Sequence, residues 1–305
     1  MDALPFEQPG RFYKGNLHTH STRSDGGRTP EEVIAAYRAA GYDFLALTDH
    51  FLPRYGFPIV DTTAWRDADF TTLLGAELHA LALENGELWH ILAVGLPPDF
   101  ASTTVDETGP TLAARAAAAG AFVGIAHPAW YALSLVDALA LDAAHGIEVY
   151  NTTCERESDR GESWHLTDVL LEHGRHLLAF ATDDAHFTEF DDGFGGWVQV
   201  RALSLDPEAL LAALKVGHFY SSQGPELHDL RIVGETLHIV CSPAVALHLT
   251  GRGARRLSQR GVALQGATFA LAPFRGGPCR LTVIDAAGKR AWSNPIWLDA
   301  AGHEG

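Results

Sequence analysis

Histidines and carboxylates recur at one kind of place in this sequence, at or just after short apolar runs: His18 and His20, Asp49 and His50, Glu77, His90, His127, then Asp183, Asp184 and His186. Imidazole nitrogen is a borderline-soft ligand, and carboxylates offset cationic charge and can bridge two ions. A ring of such groups is what a multinuclear transition-metal centre requires. In an extended chain, residues i and i+2 face the same way, so His18 and His20 can reach one ion together, as can Asp184 and His186. Asp25 lies in a Ser-Asp-Gly turn close enough to fold back over the same place. A lone histidine at a strand end is ordinarily a satisfied core or surface residue. Six such positions in one register are hard to reach by chance, and buried ionisable groups need pairing or a cation.

The elements that must position these groups are short and apolar. Candidate strands cover residues 15–20, 44–50, 72–77, 89–95, 122–127, 147–151, 177–182 and 197–201. They are Val/Ile/Leu/Phe-rich, as buried parallel strands are. Between them lie helix signals. Thr29-Pro30-Glu31-Glu32 is a capping box with proline at the first helical position, and its helix is expected to run to Ala40 and stop at Gly41. Helices are also expected over residues 134–145, 163–173 and 207–216, and a loop over 152–164. Alternating strands and helices predict an α/β fold with a mostly parallel sheet, whose C-terminal strand ends ring the functional site. After residue 225 strands follow one another without helix signals, which predicts a small antiparallel, sandwich-like β domain over 226–305 behind an α/β domain over 1–225.

The motifs resemble those of the PHP (polymerase and histidinol phosphatase) superfamily. Gly15-Asn16-Leu17-His18-Thr19-His20-Ser21-Thr22-Arg23-Ser24-Asp25-Gly26 is similar to its first motif and Leu47-Thr48-Asp49-His50 to its second. Ile125-Ala126-His127-Pro128 is similar to the third, and Thr182-Asp183-Asp184-Ala185-His186 to the fourth. Gly75-Ala76-Glu77 and Trp89-His90-Ile91-Leu92 match the intervening segments. The resemblance implies a distorted (β/α)7, TIM-like barrel holding two or three divalent ions. One ion would take His18, His20, Glu77 and Asp184; a second would share Glu77 and take His90 and His127; a third would take Asp25, His50 and His186. Asp25 stands where some members have histidine. The tandem Asp183-Asp184 is read in favour of Asp184, two residues before His186. The segment 217–226 is similar to a junction in two-domain members, where a β domain follows the barrel.

Composition narrows the setting. The 305 residues carry 22 Lys+Arg against 38 Asp+Glu, a net charge of −16, which argues against binding duplex nucleic acid. The acidity belongs to residues 1–225, with 13 basic and 32 acidic side chains; residues 226–305 have 9 and 6. Arg252, Arg255, Arg256 and Arg260 form a basic stretch, read as a solvated face or an interdomain contact. Three scattered cysteines, no apolar run near the roughly 20 residues of a membrane span, and an N-terminus without a signal core lead us to expect a cytoplasmic protein.

The chemistry expected is hydrolysis. Coordination lowers the pKa of water from about 15.7 toward about 7, so a metal-bridging hydroxide would attack and no side-chain nucleophile is needed. The His-rich set favours Mn, Fe or Zn over a magnesium-only site. The expected substrate is a small phosphate ester of the nucleotide or sugar phosphate class. The alternative is a carbamate or carboxylic ester, as in the carbamate (carbaryl)-hydrolase-like branch with this scaffold. Arg156, Arg160 and Asn151 are candidate substrate-binding residues, and Arg23 and Arg54 weaker ones. Convergent arginines would favour phosphate, and an aromatic pocket from Trp130, Tyr131 or Trp164 an aryl ester. His79, His145, His165, His173 and His176 are read as structural or surface residues. An intact ligand set argues against a non-catalytic module.

Overall fold

A computed structural model describes residues 4–189 and 191–298. The chain begins with β1 (Arg11–Asn16), α1 (Pro30–Ala39), β2 (Phe44–Leu47), a two-residue β3 (His50–Phe51), β4 (Thr71–Ala80) and β5 (Trp89–Val94). It continues with α2 (Gly109–Ala118), β6 (Phe122–Ile125), α3 (Leu135–Ala140), β7 (Gly146–Asn151), α4 (Thr152–Ser158) and α5 (Trp164–Glu172). Then come β8 (Leu178–Thr182), β9 (Trp197–Ala202) and α6 (Pro207–Lys215). After β10 (Phe219–Ser222) the described residues form no further α-helix: β11 (Leu227–Val233), β12 (Thr236–Gly251), β13 (Arg256–Ala270), β14 (Gly277–Ile284), β15 (Arg290–Ser293) and β16 (Ile296–Leu298) follow.

Helix starts are dictated by their caps. The Thr29 hydroxyl accepts from the Glu32 amide, and the Glu32 carboxylate accepts from the Thr29 amide at 2.8 Å. Val33, Ile34 and Tyr37 then fall on one buried face of α1. Two expectations give way here. Residues 152–158 are helical rather than loop, because the Asn151 side chain accepts from the Cys154 amide and caps α4. α3 stops at Ala140 instead of running to residue 145, with Leu141 already outside helical backbone angles.

The sheet is mixed, not mostly parallel. Parallel ladders join β1 to β2, β2 and β3 to β4, β6 to β7 and β7 to β8. β5, however, runs antiparallel to both β4 and β6. The reason is the short connection: Ala80 pairs with Trp89, and eight residues make a hairpin where a parallel return needs a crossover of a dozen or more. β9 is antiparallel to β1, which extends that strand back to Arg11 and moves it off the expected residues 15–20. Gly15 is required in β1, since a Cβ there would lie 2.1 Å from the buried Phe44 ring.

The C-terminal strands join the same sheet. β10 pairs antiparallel with β9 on one side and β15 on the other. β12 is long enough to pair β11 early and β14 late, with β13 alongside both stretches. Leu230, Leu237, Leu247 and Leu281 lie in the core of this part. Trp292 instead packs with Tyr150 and Trp164 in the core of the α/β part. The basic contacts across the seam come from other arginines than the expected stretch. Arg280 forks onto Asp168 with two 2.8 Å bonds and lies 3.9 Å over the Trp164 ring, and Arg290 pairs with Glu162 at 2.8 Å. Arg255, Arg256 and Arg260 are exposed. Among the described residues, no helix is long and apolar enough to cross a membrane.

Candidate metal centre

The first motif leaves β1 still extended. Thr19 is pinned by its amide to the Thr48 hydroxyl at 3.0 Å and by its own hydroxyl to the Ala46 carbonyl at 2.7 Å, and it bridges to Ala185. Its neighbours His18 and His20 therefore share the opposite side, with ring centroids 5.2 Å apart. Glu77 comes from β4, inside the strand rather than at its end. His90 sits near the N-terminal end of β5, yet it arrives at the same edge because β5 runs backwards. His127 and Asp184 follow β6 and β8 with left-handed backbone angles, φ +22° and +57°. Non-glycine residues held in this region collect at functional sites.

Four atoms here, His18 Nε2, His20 Nε2, Glu77 Oε2 and Asp184 Oδ1, are buried without a hydrogen-bond partner among the described residues. Asp184 Oδ1 lies 3.2 Å from His18 Nε2 and 2.8 Å from His20 Nε2; Glu77 Oε2 lies 3.8 Å from each of those nitrogens. Ligands about 2.0–2.2 Å from a shared tetrahedral ion stand roughly 3.3–3.6 Å apart. Orphaned buried polar atoms are costly, and a cation among these four would satisfy all of them. The residues present fit the implied metal.

Two further groups adjoin. Glu77 Oε1 lies 2.7 Å from His90 Nδ1 and 3.0 Å from His127 Nε2. Asp25 lies 3.1 Å from His50 Nε2 and 3.5 Å from His186 Nε2. The fold thus gathers all nine candidate ligands into overlapping groups able to hold an ion. Asp184 is the member of the tandem pair that reaches the cluster. Asp183 turns away, accepting from the Phe194, Gly195 and Gly196 amides at 2.7–2.9 Å and from Tyr37 and Asn16.

Electrostatics sort the imidazoles. Burial, with His186 and His50 beside it, pushes His20 down to about 3, and burial pulls His90 down to about 4 against the pull of Glu77. Burial also works to lower His50, but the Glu77 charge and the Asp25 hydrogen bond outweigh it and raise that group to about 10. Burial alone would raise Glu77 and Asp184, yet the surrounding histidines hold both below the usual carboxylate range.

Two functional neighbours escaped the sequence reading in different degrees. Glu148, near the end of β7, is fully buried and accepts from His18 Nδ1 at 3.1 Å and from the His127 amide at 2.6 Å. His79, read as structural, lies in the cluster with His50 and Glu77. Its position two residues after Glu77 in one strand was the available signal. Elsewhere His173 bonds its own helix, His176 stacks on Trp297 at 3.8 Å, and His145 accepts from the Val123 amide.

A cleft of about 640 Å³ opens over the cluster, and Arg54, Leu52, Leu88, Trp130 and Thr153 line it beside the candidate ligands. Arg156 and Arg160 do not line it. Both are exposed, and Arg160 is spent on the Trp130 carbonyl at 3.0 Å. Asn151 is buried behind the cluster, donating to Glu148 and Asp184 at 3.1 Å each.

No protein-family model matches this sequence, and no curated protein matches it. Solved structures do. A two-domain protein from Bacteroides vulgatus containing a predicted PHP-like metal-dependent phosphoesterase aligns over 97% of this chain and 95% of its own, at 15% identity and a TM-score of 0.54. The chain shares the fold of that two-domain protein. A Bifidobacterium adolescentis protein assigned without proof as a metal-dependent phosphoesterase aligns over 57% of this chain and 89% of its own, at 18% identity and a TM-score of 0.42. An amidohydrolase from Chromobacterium violaceum, solved with bound sulfate and no metal, aligns over 56% and 87%, at 19% identity and a TM-score of 0.38. Within this fold, the reversed β5 and the left-handed turns at His127 and Asp184 bring the ligand-type side chains to one edge.

Proposed function

We propose that this protein is a metal-dependent hydrolase, a phosphoesterase acting on a small phosphate ester of the nucleotide or sugar phosphate class. The observation that carries the reading is the convergence of four orphaned buried atoms from His18, His20, Glu77 and Asp184. His18, His20, Glu77 and Asp184 would hold one ion, Glu77, His90 and His127 a second, and Asp25, His50 and His186 a third, with Mn, Fe or Zn suited to the nitrogen-rich set. Bound divalent ions supply an activated water and a Lewis acid for the phosphoryl oxygens. The chain's own residues then have definite duties. Glu148 orients His18, Asn151 steadies Asp184, and Arg54 faces the cleft as the cation able to meet a phosphate.

A second reading, a carbamate or carboxylic ester hydrolase on the same ligands, is favoured by the apolar side chains Leu52, Leu88 and Trp130 in the cleft. We further infer a distorted (β/α)7 barrel over residues 1–225 and a β domain over 226–305. The two ends of the barrel strand path approach through Ser221 of β10, which accepts from the Ala181 amide and donates to the Ala179 carbonyl of β8. Three free, buried cysteines suit a reducing, cytoplasmic setting.

The deciding experiment combines elemental analysis with turnover of p-nitrophenyl phosphate, bis-p-nitrophenyl phosphate and a naphthyl carbamate, before and after a His18→Ala, His20→Ala double substitution. Loss of both metal and phosphate-ester turnover is expected. Metal content and turnover unchanged in the double variant would overturn the proposal, and turnover of the carbamate alone would select the second reading.

A further inference from the structure

His79 projects from β4 two residues beyond Glu77 and is 4% exposed. Its Nδ1 lies 3.0 Å from the Trp89 carbonyl oxygen. A carbonyl can only accept, so Nδ1 carries the hydrogen and Nε2 is left with its lone pair. That lone pair meets His50 Nδ1 at 2.9 Å in hydrogen-bonding geometry. Glu77 Oε2 is nearer to the same nitrogen, at 2.5 Å, but an ion held with His18, His20 and Asp184 would take that oxygen, which leaves His79 Nε2 as the acceptor. The hydrogen on His50 Nδ1 therefore goes to His79. The other nitrogen of His50, Nε2, lies 3.1 Å from Asp25, and it is the one left to face an ion in the group that His50 shares with Asp25 and His186.

We propose that His79 is a positioning residue that fixes the tautomer of His50 and presents His50 Nε2 to the cation site beside Asp25 and His186. The inference rests on reading the cluster as a metal centre. Histidine ligands are ordinarily backed by a carboxylate, a carbonyl or water, and losing that partner costs about 10–100-fold in metal affinity. Here a second imidazole relays the Trp89 carbonyl to His50. The relay adds no negative charge beside Glu77, Asp184, Asp25 and Glu148. His79 is not itself a free ligand, because both of its ring nitrogens are engaged.

The test compares His79→Leu with His79→Gln by calorimetric Zn²⁺ titration of chelator-treated protein, with metal content measured after dialysis. The glutamine carbonyl can still accept from His50 Nδ1, whereas leucine cannot. One class of Zn²⁺ site is expected to weaken about 10–100-fold in the leucine variant and to be retained in the glutamine variant. A second readout needs no variant: nitrogen NMR of the zinc-loaded wild type is expected to find the hydrogen on His50 Nδ1. Unchanged Zn²⁺ affinities in His79→Leu, or His50 holding zinc through Nδ1, would overturn this inference alone. Equal losses in both variants would overturn it in favour of His79 as a direct ligand. Wild-type protein that takes up no divalent ion would instead overturn the metal reading, and this inference with it.

Discussion

Glu148 Oε1 stands 3.1 Å from His18 Nδ1, and neither side chain has any exposed surface. The carboxylate holds the imidazole so that Nε2 faces Glu77 and Asp184. Its second oxygen takes the His127 amide at 2.6 Å, so one group fixes two candidate ligands. Glu148→Gln keeps the size and removes the charge. We expect it to lower affinity for the first ion about 10–100-fold, read by competition with a zinc-binding dye. Affinity equal to wild type would show that Glu148 is only packing.

Ions that satisfy orphaned atoms should also stabilise the fold. A ligand at a hundred times its dissociation constant adds about 2.7 kcal/mol, and in a chain of this size each kcal/mol moves the melting midpoint by roughly 2–4 °C. Chelation should therefore lower the midpoint by several degrees and added Mn²⁺ or Zn²⁺ restore it. A midpoint indifferent to both treatments would contradict the site.

The imidazoles set a pH response in the metal-free protein. His20 and His90 are held at about 3 and about 4, below the ordinary 6.5, so the folded state refuses protons that the unfolded chain accepts. The contribution of these two groups to stability should fall as pH drops below 6.5. His50, raised to about 10, acts in the opposite sense: its contribution is complete below 6.5 and is lost as pH rises through 10. Urea unfolding at pH 7.5 and pH 5 checks the acid limb, and His20→Asn should flatten it. An acid limb left unchanged by His20→Asn would refute the assignment.

Arg54 and Trp130 line the same cleft and separate the two substrate readings. For a phosphate ester, Arg54→Ala should raise KM about tenfold or more, the worth of a charge-assisted contact, while Trp130→Ala changes little. For an aryl carbamate the ranking reverses. Steady-state kinetics on both substrate types gives the answer.

Most of the side chains that the fold gathers stand in or just after short strands, and that placement was legible in the sequence. His18 and His20 declare a shared side by spacing alone, whereas Asp184, turned by its left-handed backbone, joins His18 and His127 while His186 joins Asp25 and His50. Strand direction was not legible. The eight residues between Ala80 and Trp89 could have been read as too short for a parallel return, which would have foretold the reversed β5 and the place of His90. His79 was missed because a lone histidine in an apolar strand looks like core filling. Its role lies in a hydrogen bond to a residue 29 positions away, which no local pattern encodes. Arg156 and Arg160 were judged by charge in an expected loop. The Asn151 cap makes that stretch helical and leaves both arginines outside the cleft.

β10 lies between β9 and β15, and the Trp292 indole fills the core beneath Tyr150 and Trp164. A gene shortened to end at residue 225 would keep the complete ligand ring and still strip a stave from the wall behind it. One edge of Phe219–Ser222 would face water with its amides bare, an invitation to self-association, and the hollow left by the indole would loosen the strand that carries Glu148. Whoever wants the α/β half in isolation should expect insoluble material and retain the chain through Leu298.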